Sequence, residues 1–354
     1  MKSIEAIASA FGLAEITGIT ELSGGHINTT YKILAEGPDG PGAFVAQKVN
    51  PSVFRDPSAV MENIEKVTSH IEKRGGVTLH FLRTKDGDLL FDDEGSPWRV
   101  CGYIESDTRL TCESLEIARA AGKAFGQFQS MLSDLDGRLL KETIPDFHNT
   151  AKRFEKLEND VARRGERASR VIPEFGALME LKSAACSLKD LPVRVTHNDM
   201  KLSNVLFKKG STEPVCLIDL DTVMPGFSAW DIGDAARSIC CTAKEDEIDL
   251  SKVTFDEKRF EVLVTGYFEG FGESLPSPEE AGSIASGALA MTTELAVRFL
   301  DDYVCGDTYF RTARSDHNLD RARCQLALAL DVSKKIKTLE TIASRAYDVC
   351  KAAR

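Results

Sequence analysis

Apolar and polar positions follow two rhythms along this chain. Over the first hundred residues, short apolar runs broken by glycine predict a small sheet. ITELSGGHINTTYKILAE predicts two strands separated by Gly24–Gly25, and AFVAQKVN predicts a third. PSAVMENIEKVTSHIEKRGG places Val60, Ile64, Val67 and Ile71 on one face of a helix that Gly75–Gly76 would stop. LHFLRTKDGDLLFD predicts a hairpin with Asp86–Gly87 in its turn, and PWRVCGYIES a further strand. The opening MKSIEAIASAFGL reads as an amphipathic helix, too acidic and too short in its apolar run for a signal peptide.

From about residue 113 the period lengthens to that of helices. ESLEIARAAGKAFGQFQSML carries Ile117, Ala121, Phe125 and Phe128 at helical spacing. Helices are also expected near 150–164, 174–189, 231–242, 257–271, 278–304 and 317–351, with a β-rich island at 193–221 between them. The last helix has an apolar face (Leu326, Leu330, Val332, Ile336, Leu339, Ile342) that suits core packing first and dimerisation second. The pattern predicts an α+β, bilobal chain: a small antiparallel-sheet lobe with one helix over residues 1–104, and a larger, mainly helical lobe over 105–354.

Composition narrows the function. A net charge of −11 argues against a general nucleic-acid binder and against a polybasic membrane contact. No apolar run is long enough to span a bilayer. Nine scattered cysteines without a C-x-x-C pair read as reduced thiols of a cytoplasmic protein.

The chemistry is concentrated in two polar insertions. In RVTHNDMKLSNVLF, His197, Asn198, Asp199, Lys201, Ser203 and Asn204 interrupt two apolar strands. In VCLIDLDTVMPGFSAWDIGD, strand alternation would set Asp219 and Asp221 on one face. Two carboxylates there are costly to bury unless they meet a cation, and Asn204, Asp219 and Asp221 are hard oxygen ligands suited to Mg²⁺. H-x-D-x-x-x-x-N followed by an aspartate on a short strand is the arrangement of phosphoryl transfer from ATP. One aspartate orients the acceptor hydroxyl, here Asp199, while the asparagine and second aspartate hold the metal. His197 is expected to order the loop and not to act as base.

THNDMKLSNVLF and LIDLDTVMPGFSAWDIGDAAR resemble the catalytic segments of the aminoglycoside phosphotransferase and choline kinase superfamily, of protein-kinase-like fold. With GGHINTTY, QKVNPSVFRDP, MENI, RFLDDY and HNLDRAR, the chain is more closely similar to the N-acetylhexosamine 1-kinase family across roughly residues 20–330. The resemblance implies ATP- and magnesium-dependent phosphorylation of an N-acetylhexosamine at its anomeric hydroxyl. It implies Asp199 as base, Asn204 and Asp219 as metal ligands, and Asp231 as a brace for the loop. Arg298, Tyr309 and His26 would touch the sugar.

The remaining candidates belong to the nucleotide side. Gly24 and Gly25 either present backbone amides to phosphates or form a plain hairpin turn. Lys48 sits where kinases carry a strand lysine, with Glu62 and Glu65 as alternative partners on the next helix. Adenine would lie against residues 100–105, which include Tyr103. Alternatives remain for several of these: Arg298 as a solvated helix residue, Tyr309 as core packing, His26 as a turn cap. Rival functions are kinases of choline, homoserine, methylthioribose or an aminoglycoside, a non-catalytic pseudokinase, and a nucleotidyl transferase. The partners expected are ATP and a small sugar, in a monomer or homodimer.

Overall fold

The structure, a computed structural model, describes residues 3–22, 28–163 and 165–354. Helix α1 (Ile4–Ala10) packs Ile7, Ala8 and Phe11 against one face of an antiparallel sheet of β1 (Ala14–Leu22), β2 (Thr29–Gly37), β3 (Gly40–Lys48), β4 (Phe91–Asp93) and β5 (Ser96–Gly102), in the order β1-β2-β3-β5-β4. The expected strand at 79–84 contributes a single bridge, Phe81 to Cys101. The hairpin instead turns at Glu94–Gly95, where both residues take positive φ. Among the described residues, this lobe holds α1, the amphipathic helix expected from the opening residues, and α2.

Helix α2 (Pro57–Lys73) begins where Asp56 accepts the Ala59 amide and Pro57 supplies a preset φ. It ends before Gly75, whose φ of 77° suits glycine best. Val60, Ile64, Val67 and Ile71 are all buried, as the spacing predicts. The sheet ends at Gly102, and by Asp107 the chain is paired with Phe207 of the second lobe.

The helical lobe comprises α3 (Leu115–Met131), α4 (Thr150–Ala162), α5 (Glu166–Ser169), α6 (Ile172–Ala185), α7 (Ser228–Cys240), α8 (Glu257–Gly270), α9 (Pro278–Gly282), α10 (Ile284–Val304) and α11 (His317–Ala352). The single helix expected over 278–304 is broken at Ser283. Helices α3 and α8 approach so closely that a Cβ on Gly126 would lie 1.9 Å from the Tyr267 carbonyl oxygen.

The β-island forms two ribbons. Strand β6 (Val193–Thr196) pairs with β9 (Met224–Phe227), and β7 (Val205–Phe207) pairs with β8 (Pro214–Leu217). The two apolar runs that flank the polar insertion therefore pair with different partners. The insertion between them lies beneath the sheet lobe, at the seam. Among the described residues no helix is long and apolar enough to cross a membrane, and all nine cysteines are free thiols.

Candidate active site

Backbone hydrogen bonds hold the 197–204 loop. Asp231, fully buried near the start of α7, accepts the amides of His197 (2.9 Å) and Asn198 (2.7 Å), and Gln129 of α3 donates to it at 2.6 Å. Burial raises the Asp231 pKa, and these three donors work against that rise. His197 donates from Nε2 to the Ile218 carbonyl (3.0 Å), and Ile218 donates its amide to the Asn204 carbonyl (2.9 Å). Those two bonds tie the 197–204 loop to the segment that carries Asp219. Asn198 takes φ of 62°, a conformation that asparagine tolerates better than most residues, and its side-chain Nδ2 donates to the Thr222 carbonyl (2.9 Å).

Asp199 and Asn204 meet within this frame. Asn204 Nδ2 donates to the Asp199 carbonyl (2.8 Å) and to Oδ2 (3.0 Å), and Lys201 Nζ donates to the same Oδ2 (2.7 Å). Burial disfavours the Asp199 carboxylate, but Lys201, His197 and Asn204 outweigh it and hold its pKa below the ordinary value. Lys201, which sequence reasoning did not single out, is pushed in the opposite direction by Asp199, Asp219 and Asp234, against its own burial.

Strand β8 ends at Leu217, so the alternation expected for residues 219 and 221 does not hold. Asp219 takes a left-handed conformation (φ 63°, ψ 55°), and Asp221 falls in the 3₁₀ turn that follows. Their environments differ accordingly. Asp219 keeps an open face to solvent, yet enclosure at the cleft floor and repulsion from Asp221 and Asp199 push its carboxyl up to about 6. Asp221 is buried. It pairs with Arg99 of β5 at 2.5 Å and accepts from Asn28 Nδ2 at 2.8 Å. The structure thus departs from the expectation of Asp221 as a metal ligand: its carboxylate is committed to a guanidinium of the other lobe. Arg99 also donates to Gln47 Oε1 (2.9 Å from Nη2). Its signal in the sequence was a lone arginine inside the apolar run PWRVCG.

These donors fit a divalent cation. Asn204 spends its Nδ2 on Asp199, which leaves Oδ1 without a partner among the described residues, and Asp219 has no ion pair there. Both are hard oxygens, and a cation would relieve the like-charge repulsion on Asp219.

On the nucleotide side, the register sets Lys48 opposite Trp98, which belongs to the α1-side core. Gln47, opposite Arg99, faces the cleft instead. Cross-strand partners share a face, so Lys48 is turned away from α2, contrary to expectation. Both glutamates expected to pair with it are engaged elsewhere: Glu62 with Lys141 (2.7 Å) and Glu65 with Arg83. Tyr103 follows β5 in the linker and donates its amide to the Ala43 carbonyl (2.9 Å), with Lys32 Nζ 3.7 Å from its ring centroid. Gly24, Gly25 and His26 lie outside the described residues.

On the opposite side of the loop, His148 bridges Glu294 (Nδ1, 2.9 Å) and the Asn198 carbonyl (Nε2, 3.1 Å). Both ring nitrogens thus have oxygen partners. Burial disfavours the Glu294 carboxylate, but His148, Arg298 and Thr150 outweigh it and lower its pKa. Arg298 and Tyr309 are brought together. The Arg298 guanidinium carbon lies 5.3 Å from the Phe147 ring centroid, 5.5 Å from Phe310 and 5.9 Å from Tyr309. Asp302 shapes that corner by accepting the amides of Thr308 (2.9 Å), Tyr309 (2.8 Å) and Phe310 (2.9 Å). Neither His148 nor Asp302 was picked out from the sequence. Glu294 did leave a signal there, a lone acid inside IASGALAMTTELAV.

Residues 18–261 match the model of APH, the phosphotransferase enzyme family. Solved structures share the architecture over nearly the whole chain. An aminoglycoside phosphotransferase from Alicyclobacillus acidocaldarius is 14% identical, with a TM-score of 0.62, covering 98% of this chain and 97% of its own. Choline kinase from Cryptosporidium parvum is 13% identical, with a TM-score of 0.59, covering 98% and 100%. An amicoumacin kinase solved in complex with AMP-PNP, Ca²⁺ and Ami is 13% identical, with a TM-score of 0.60, covering 96% and 94%.

Proposed function

The chain belongs to the phosphotransferase enzyme family, and on that premise we propose that it is an ATP- and magnesium-dependent kinase of an N-acetylhexosamine, acting on the anomeric hydroxyl. The observation that carries this reading is the meeting of Asp199 and Asn204 beside Asp219 at the seam of the lobes.

In this mechanism, Asn204 Oδ1 and the Asp219 carboxylate would hold magnesium, which would neutralise charge on the nucleotide phosphates. Asp199 accepts the hydrogen bond of the sugar 1-OH and takes its proton as the bond from that oxygen to the γ-phosphorus forms and the bond from the γ-phosphorus to the bridging oxygen breaks, with ADP leaving on that oxygen. An anomeric hydroxyl is more acidic than an ordinary alcohol, so a carboxylate of lowered pKa suffices late in a loose transition state. Lys201, already on Asp199, is placed to share its charge with the transferred phosphoryl group. Asp231 and His197 act through the loop and touch neither substrate. Arg298 and Tyr309 donate to sugar oxygens. The nucleotide lies against the linker at Tyr103.

A cationic acceptor such as choline or an aminoglycoside is the less favoured reading, because Arg298 and the neighbouring Arg153 place positive charge on the acceptor side. The test is ADP release with Mg-ATP across free hexosamines, choline, homoserine, methylthioribose and aminoglycosides. Reaction with an N-acetylhexosamine, abolished by methylating its anomeric oxygen, is the expected result. Turnover of choline or an aminoglycoside without turnover of any free sugar would refute the sugar assignment.

A further inference from the structure

Among the described residues, two arginines on the acceptor side make no ion pair within 4 Å, although the Glu294 carboxylate acts on both at longer range. Arg153 of α4 makes one hydrogen bond, from Nη2 to the Phe147 carbonyl (3.0 Å). Its Nε is sealed from solvent without an acceptor. Arg298 of α10 donates to no acceptor among the described residues and is bounded by the rings of Phe147, Tyr309 and Phe310. The nearby carboxylate of Glu294 is already engaged, by His148 Nδ1 (2.9 Å) and Thr150 Oγ1 (2.6 Å). Other arginines of the same lobe are matched: Arg167 to Asp307, Arg170 to Asp316, Arg237 to Asp234 and Arg323 to Glu174. Burial, and then repulsion from Arg298, lower the Arg153 pKa against the opposing pull of Glu294, Tyr309 and Asp301.

The pair is also close to the reaction. Phe147, which contacts both arginines, precedes His148, and His148 donates to the Asn198 carbonyl next to Asp199. Guanidinium groups are matched in shape and charge by carboxylates and phosphates, which accept two parallel N–H bonds. A neutral N-acetyl carbonyl offers a single oxygen and no charge.

We propose that Arg153 and Arg298 form a subsite for an anionic substituent, a carboxylate or a phosphate monoester, carried by the acceptor away from the hydroxyl that Asp199 meets. This rests on the kinase reading above and narrows its substrate class to acidic sugars. The aromatic rings bound Arg298, and the anion supplies the acceptors that its N–H groups lack, with the Arg153 charge beside it.

The test compares kcat/KM of the full chain with Mg-ATP for N-acetylglucosamine, glucosamine, N-acetylmuramic acid and N-acetylglucosamine 6-phosphate. At least one acidic sugar should exceed the neutral one by about tenfold or more, the scale of a charge-assisted hydrogen bond. The carboxylate and phosphate arms say which anion is meant. Arg153→Gln should lower the acidic-to-neutral ratio by a similar factor, and Arg153→Lys should restore part of it. Melting temperature and ATP binding are measured on each variant to separate misfolding from lost recognition. Turnover of the neutral sugar with no gain from negative charge overturns the subsite and leaves the kinase reading standing. No ADP release from any acceptor, with ATP bound, overturns the kinase reading and the subsite with it.

Discussion

Asn204 Nδ2 stands 3.0 Å from Asp199 Oδ2 and 2.8 Å from the Asp199 carbonyl. One amide thereby fixes Asp199 by its side chain and its backbone, and its own oxygen has no partner among the described residues. The proposed proton acceptor and one proposed metal ligand are thus held in one geometry.

Replacing Asp199 by Asn keeps the shape and removes the base. Turnover should fall by about 10²–10⁴-fold, the usual contribution of a positioned acid–base group. ATP affinity, read by calorimetry, should change little, because the metal ligands remain. Turnover at the level of the unmodified protein would show that another group takes the proton.

Asp219 makes a prediction of opposite sign for stability. Its carboxyl is raised to about 6 in the fold, against an ordinary value near 3.9. The folded state therefore holds the proton more tightly than the unfolded chain between those two values. Stability falls as pH rises through that window, and the penalty is fully present above pH 6. In EDTA, Asp219→Asn should raise the melting temperature at pH 8 and leave it unchanged at pH 3.5. The same variant should lose kinase activity and magnesium-dependent nucleotide affinity. A drop in melting temperature at pH 8 would mean that the carboxylate is compensated in the fold.

Glu294 behaves as the usual acid. Its depressed pKa means that its pairing with His148 and Thr150 contributes stability above the ordinary glutamate value, lost as pH falls through the folded one. Glu294→Gln should destabilise the protein by about 3–5 kcal/mol at neutral pH, as expected when one partner of a buried pair is removed. It should also flatten the acid limb of the stability curve below pH 4.5 or so. Denaturant melts across pH 3–8 measure both effects. An unchanged acid limb would assign that proton uptake to another group.

The helices and the Asp199–Asn204–Asp219 spacing were legible because both are local. Period 3.6 reports which face of α2 is buried, and a loop between apolar strands must be polar if it lines a cleft. The faces of Lys48 and Asp221 were not legible, because each turns on a single residue of register. Lys48 is the last residue of β3, where a shift of one reverses the side, and β8 stops two residues short of Asp219. Pairings such as His148 with Glu294, 146 residues apart, leave no periodic trace. A lone charge in an apolar run marks one end of such a pair, as for Arg99 and Glu294, and the partner's identity needs the fold.

Arg99 and Asp221 join the lobes through a buried pair, one side chain 3% exposed and the other 2%. Arg99 comes from the sheet, and Asp221 follows the proposed metal ligand by two residues, so the pair sets how the sheet lobe sits over Asp219. Arg99→Met leaves a buried carboxylate without a cation and should cost about 3–5 kcal/mol. Adding Asp221→Leu removes that orphaned charge and should recover much of the loss in stability. Activity should not return with it, because the connection that aligns the lobes is gone. Chemical denaturation and ADP release on the two single variants and the double variant form the cycle. Recovery of both stability and turnover in the double variant would show that the pair serves folding alone.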